Sequence, residues 1–85
     1  MMKSYNSNPV LDLHGIDREY ARILINDFIR DCSVMKCEKV VIIHGIGKGI
    51  LQKTVRDVLQ KNKCVLEYKL DMFNPGQTIV WIRRD

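Results

Sequence analysis

His44-Gly45-Ile46-Gly47-Lys48-Gly49, entered from Val40-Val41-Ile42-Ile43 and left through Ile50-Leu51, decides how the rest of this sequence folds. Four apolar residues in a row read as a buried strand, and three alternating glycines read as a tight turn that opens a helix. Glycine lets backbone approach a ligand closely, and the first N–H groups of a helix have no partner inside it. With the positive end of the helix dipole they favour an anion. Lys48 lies within the turn and His44 at the strand's carboxyl end, so the stretch reads as a phosphate-recognising turn with an imidazole beside it.

Working outward, the residues after the turn continue as a helix. Ile50, Leu51, Thr54, Val55, Val58 and Leu59 share one face, while Lys48, Gln52, Lys53 and Arg56 fall towards the other side of its first turns. Before the strand at about Glu38 to Ile43 comes another helix, starting at Arg18 with Asp17 as N-cap. Its expected apolar stripe is Ala21, Leu24, Ile25, Phe28, Cys32 and Met35. Ahead of that, Val10-Leu11-Asp12-Leu13-His14 alternates with period two, which puts Leu11 and Leu13 on one face and Asp12 and His14 on the other. Residues 1–9 are polar and read as a flexible tail, leaving 10–85 as the single domain. Beyond the second helix, Cys64 to Leu70 and Thr78 to Arg83 read as strands joined by the turn Asn74-Pro75-Gly76.

The order strand, helix, strand, helix, strand, strand calls for right-handed crossovers, with both helices on one face of a four-stranded sheet. The last two strands should be antiparallel, so the expectation is a two-layer α/β domain of βαβαββ order with a mixed sheet. In such sheets ligands bind off the carboxyl ends of the parallel strands. His14-Gly15 and His44-Gly45 both occupy such ends.

Composition narrows the function. The 85 residues permit one small domain, and 46% hydrophobic with 28% charged residues is ordinary for a folded one. The net charge of +4 is unevenly placed: residues 1–42 carry six basic and six acidic side chains, and residues 43–85 carry eight against four. The excess begins at the glycine turn and fits a polyanion partner. Cys32, Cys37 and Cys64 are odd in number and form no C-x-x-C, which argues for a reducing compartment and for small buried hydrophobes over a disulfide frame or a zinc site. The longest aliphatic run is too short for a signal peptide or a membrane span, so the cytoplasm is the expected location.

Asp12 and His14 on one strand face can work together, the carboxylate orienting the imidazole, or they can be a solvated polar face. His44 alone is as readily a structural histidine. One Asp and two His could hold a divalent ion such as Mg2+, yet that is a thin ligand set, and no metal site is assigned. The glycine turn has neither Walker A nor G-x-G-x-x-G spacing, and no G-x-S-x-G elbow is present. Its plain alternative is a tight strand–helix connection. Trp81 would offer a base-stacking surface if it faced the open side of the sheet.

Those residues together resemble the small MutS-related (Smr) domain family. Leu11-Asp12-Leu13-His14-Gly15 is similar to that family's first motif, His44–Gly49 with Ile50-Leu51 to its second, and Gly76-Gln77-Thr78-Ile79-Val80, more loosely, to its closing strand. The resemblance covers about Val10 to Arg83. It implies a fold similar to the C-terminal domain of translation initiation factor three, and nucleic-acid binding or endonuclease activity. It also implies that Asp12, His14, His44, Gly45, Gly47 and Gly49 are functional. Gln52 departs from it, standing where the family often has Arg.

The function expected is therefore an endonuclease that cleaves a phosphodiester, RNA in preference to DNA because RNA carries its own nucleophile. The partner is nucleic acid, free or on the ribosome. His14, oriented by Asp12, would be the general base, and His44 the general acid or an electrostatic partner. Gly45, Gly47, Lys48, Gly49, Lys53 and Arg56 would hold the backbone. A binding module without catalysis is the alternative, and a phosphorylated-metabolite site is a weaker third.

Overall fold

The computed structural model describes residues 8–84. Six elements follow in order: β1 (Val10–Asp12), α1 (Arg18–Val34), β2 (Lys39–Ile43), α2 (Ile50–Lys61), β3 (Val65–Leu70) and β4 (Gln77–Ile82). Most of the expected tail over 1–9 lies outside the described residues. Pro9 is within them and already belongs to the sheet edge, its carbonyl accepting from Val41 N at 2.9 Å.

The sheet order is β1-β2-β4-β3. β1 runs parallel to β2, while β4 runs antiparallel to both β2 and β3. The last strand thus inserts between β2 and β3, so the α2 connection steps over the place β4 will fill. This is the expected mixed sheet with two helices.

Burial alternates strictly along the two central strands. Val40 and Ile42 of β2, and Thr78, Val80 and Ile82 of β4, are buried, and the residues between them are half-covered. The buried face meets Ala21, Ile25 and Ile29 of α1 and Val55, Val58 and Leu59 of α2 in one cluster, so both helices cover the same side. The other face carries Val41, Ile43, Ile79 and Trp81, with Val41 opposite Ile79, Ile43 opposite Gln77 and Trp81 opposite Lys39, and no helix or strand among the described residues covers it.

Asp17 caps α1 as its side chain accepts from Tyr20 N at 2.8 Å. The stripe differs from the expected one at its end. Ile29, omitted from it, is fully buried midway between Ile25 and Cys32, where a 3.6-residue period requires an inward position. Met35 is 76% exposed, because the helix closes before it reaches the core. Lys36 adopts a left-handed φ of 61°, its N–H reaches Ser33 O, and Cys37 N reaches Cys32 O at 2.9 Å. This six-to-one and five-to-two pairing is a Schellman cap, whose usual apolar contact is made by Cys37 and Cys32. Burial above all, and then the neighbouring Cys37 thiol, push the Cys32 thiol up to about 12. It is a packing group and no nucleophile. On α2, Ile50 is also more exposed than its place on the apolar face suggests, standing as the first residue of the helix.

Ile29→Ala should cost about 2–5 kcal/mol, a large share of a small domain's stability, whereas Met35→Ala should stay within about 0.5 kcal/mol. Urea unfolding of the two variants followed by circular dichroism checks the assignment of the α1 face.

Candidate nucleic-acid interface

The carboxyl ends of β1 and β2 lie side by side, with Leu13 N donating to Ile43 O at 2.8 Å. Parity then separates the two histidines. Leu13 is buried under the helices, so Asp12 and His14 turn away from them. The Asp12 carboxylate accepts from His14 N at 3.1 Å and from the imidazole Nδ1 at 3.0 Å, and the His14 side chain is 82% exposed. The backbone N–H of His14 first, and its ring second, hold the Asp12 carboxyl below its ordinary value of 3.8. With Nδ1 donating to Asp12, Nε2 is left as the lone-pair nitrogen facing solvent.

His44 is placed otherwise. It continues the inward parity of Val40 and Ile42 and is only 4% exposed. Nδ1 lies 2.9 Å from Gly45 O and Nε2 2.9 Å from Thr78 Oγ1. A carbonyl can only accept, so Nδ1 carries the proton and, in the neutral ring, Nε2 takes the hydrogen of the Thr78 hydroxyl. Both ring nitrogens are spent within the protein. The ends of the two strands meet, as expected from the repeated His-Gly, but one imidazole faces solvent and the other fastens the turn to β4.

The turn is fixed further by Gly76 O, which accepts from His44 N at 2.9 Å and from Gly45 N at 2.8 Å. Gly76 approaches Gly45 so closely that an added Cβ would meet Asn74 Oδ1 at 3.3 Å and Gly45 Cα at 3.6 Å. Within the turn, Gly47 (φ 89°) and Gly49 (φ 81°) take left-handed conformations that other residues adopt only with strain. Gly49 is the N-cap of α2 and supplies no side-chain acceptor, and the first turn holds no acidic residue. Lys48 is exposed above it. Apart from Lys53 N, which bonds Gly49 O, the leading N–H groups retain the polarity that attracts an oxyanion.

The remaining expected cations differ in availability. Lys53 is tied to Asp57 at 3.1 Å and holds that carboxyl below its ordinary range. Among the described residues Lys48 and Arg56 have no ion-pair partner. Trp81 does face the open side, opposite Lys39 and Glu67. It lies at the far end of the sheet, however, about 13 Å of strand from the residue that enters the glycine turn. Among the described residues no three His, Cys, Asp or Glu side chains gather as a metal's donor set would. Among the described residues no helix is long and apolar enough to cross a membrane.

The two environments give His44→Ala and His14→Ala different costs. The first strips partners from buried Thr78 and from Gly45 O and should destabilise the domain by about 1–3 kcal/mol. The second should cost under about 1 kcal/mol and let the Asp12 carboxyl rise only part of the way, because the backbone N–H at position 14, the larger cause of its depression, remains. Since the Asp12 value is depressed in the folded state, this contact's support is present above about pH 4 and fades as the carboxylate protonates. Denaturant curves and an NMR titration of the Asp12 carboxyl read both effects.

Comparison with known proteins agrees with this architecture. The Smr domain family profile matches residues 11–83. The endonuclease MutS2 of Clostridium perfringens is 32% identical over 75 residues, 88% of this chain and 10% of that protein. The endonuclease MutS2 of Clostridium botulinum is 33% identical over 66 residues, 78% of this chain and 8% of that protein. The chain thus spans about a tenth of the length of the curated relatives it matches. In fold it is similar to the crystal structure of the Smr domain of Thermus thermophilus MutS2. There the TM-score is 0.83 at 22% identity, over 88% of this chain and 98% of that one. It is also similar to YdaL, a stand-alone small MutS-related protein from Escherichia coli. That match has a TM-score of 0.85 at 23% identity, over 93% of this chain and 70% of that one. With its sequence and its fold both in agreement, the chain belongs to the Smr domain family.

Proposed function

We propose that this domain binds nucleic acid at the Gly45–Gly49 turn and cleaves a phosphodiester there, RNA in preference to DNA. The observation that carries the reading is the Asp12–His14 pair, an oriented and solvent-facing imidazole at the strand end next to that turn. The names of the MutS2 relatives, which are endonucleases, lend it support.

In this reading a phosphate rests on the leading N–H groups of α2 with Lys48 beside it, donors aimed where negative charge grows on the equatorial oxygens. His14 Nε2 takes the proton of the substrate's own 2′-hydroxyl, and the 2′ oxygen attacks phosphorus. The bond to the 5′ oxygen breaks, and that oxygen leaves with a proton from water. Asp12 keeps the ring in the tautomer that leaves Nε2 basic. His44 acts as a positioning residue that fixes the turn, because both of its nitrogens are engaged. One free imidazole suffices when the substrate supplies the nucleophile, which is why RNA is favoured. Hydrolysis of DNA would call for an activated water and usually a metal, and Asp12 with His14 provides only two donors, so no step is routed through a divalent cation such as Mg2+.

His14→Ala should slow cleavage of labelled RNA by about 10²- to 10⁴-fold while the protein stays folded and keeps most of its affinity. Asp12→Asn should slow it less. A folded wild-type protein that binds RNA or DNA yet cleaves neither, with or without Mg2+, would replace this reading by a binding module. The engagement of both His44 nitrogens already favours that alternative over any scheme needing two free imidazoles.

Binding itself should be electrostatic. Lys48→Ala and Arg56→Ala should each weaken binding similarly across sequences and lower the salt slope by about 0.7 for single strands. Lys53→Ala should do less, its charge being matched by Asp57. Titrations at several salt concentrations measure the slopes.

A further inference from the structure

The β3–β4 connection holds two large apolar side chains in solvent. Met72 is 83% and Phe73 98% exposed. This loop is bonded from within at nearly every residue. Asp71 Oδ1 accepts from Phe73 N at 2.9 Å and Asn74 N at 3.3 Å, and Oδ2 accepts from Gln77 Nε2 at 2.8 Å. Asn74 Oδ1 accepts from Gly76 N at 3.1 Å, and Gln77 N donates to Asn74 O at 3.1 Å. A connection so tied fixes the backbone that carries Phe73, and the ring projects into solvent.

Its position gives the exposure a use. Gly76, three residues on, is the carbonyl that fastens the glycine turn. Three residues span at most about 11 Å, so the backbone of Phe73 lies within that reach of the turn's anchor. Beside a site for a phosphate, the protein therefore presents a flat apolar ring and a flexible thioether side chain. A nucleotide has the matching pair of parts, one charged and one flat. Trp81, on the open face of the sheet, lies at the wrong end of it for this.

We propose that Phe73, with Met72 beside it, is a stacking platform for an unpaired base of the polynucleotide whose phosphate rests at the Gly45–Gly49 turn. The inference depends on the nucleic-acid reading above and adds a substrate class to it. In a duplex both faces of each base are covered by neighbours, so only a single strand, a bulge or a loop offers a free face to Phe73. The platform therefore makes the domain selective for unpaired segments. The turn and its cations, which meet only phosphates, do not discriminate.

The test is fluorescence anisotropy with a short labelled RNA strand and with the same strand in a blunt duplex, using wild type, Phe73→Ala, Phe73→Trp and Lys48→Ala. Circular dichroism should report an unchanged fold for the Phe73 variants, as the ring touches little. Phe73→Ala is expected to weaken binding of the single strand by about 5- to 150-fold, with the duplex affinity and the salt slope unchanged. Phe73→Trp should restore single-strand binding. If Lys48→Ala weakens binding and Phe73→Ala does not, the platform is overturned, the nucleic-acid reading stands, and the loop is left to a protein contact. An equal loss on single strand and duplex would also overturn it. Wild-type protein that binds neither RNA would overturn both the platform and the reading beneath it.

Discussion

One carbonyl, that of Gly76, accepts the N–H groups of both His44 and Gly45. The rest of the site depends on this junction. Without it a run of three glycines would lose more conformational freedom on ordering than almost any other stretch. The bonds of the buried His44 ring to Gly45 O and Thr78 Oγ1 close the same junction from beneath. Together they tie the turn to β4, so that the leading N–H groups of α2 point in a fixed direction before any ligand arrives. Such preorganisation is what lets weak donors act on a charge.

The same junction makes two distant parts of the chain a single unit. The β3–β4 connection and the glycine turn lie some thirty residues apart in sequence, yet Gly76 sits within van der Waals reach of Gly45. The internal bonds of Asp71 and Asn74 carry that rigidity outward to Phe73. Asp71 stays ionised, held below its ordinary carboxyl range first by the Phe73 N–H and then by Gln77. The domain thus spends much of its polar side-chain capacity around one end of the sheet, while the apolar core beneath the helices supplies stability.

Division of labour between the two histidines follows from strand geometry. Neighbouring residues on a strand face opposite ways. His14 stands one residue past a buried leucine, and His44 stands two residues past a buried isoleucine. The same dipeptide therefore yields an exposed imidazole just beyond β1 and a buried fastener just beyond β2. Thr78 completes the arrangement as one of the few buried polar residues, and it is satisfied by the ring it holds.

Local pattern was enough to determine the elements, their order, the Asp17 cap, the outward placement of Asp12 and His14 on one face, and the turn itself. Each of these rests on near neighbours in the chain: period-two alternation, helical spacing, or glycine conformation. The orientation of His44 was not legible, because Val40-Val41-Ile42-Ile43 is apolar on both faces and hides the parity that the leucines of β1 display. Nor did periodicity reveal that α1 would close in a Schellman cap and leave Met35 outside. Only the tertiary structure decided that β4 enters between β2 and β3. That insertion brings Thr78 under His44 and Gly76 against Gly45, and it sets Phe73 beside the turn. These contacts join residues about thirty positions apart, and such pairs are fixed by strand register, which no local spacing encodes.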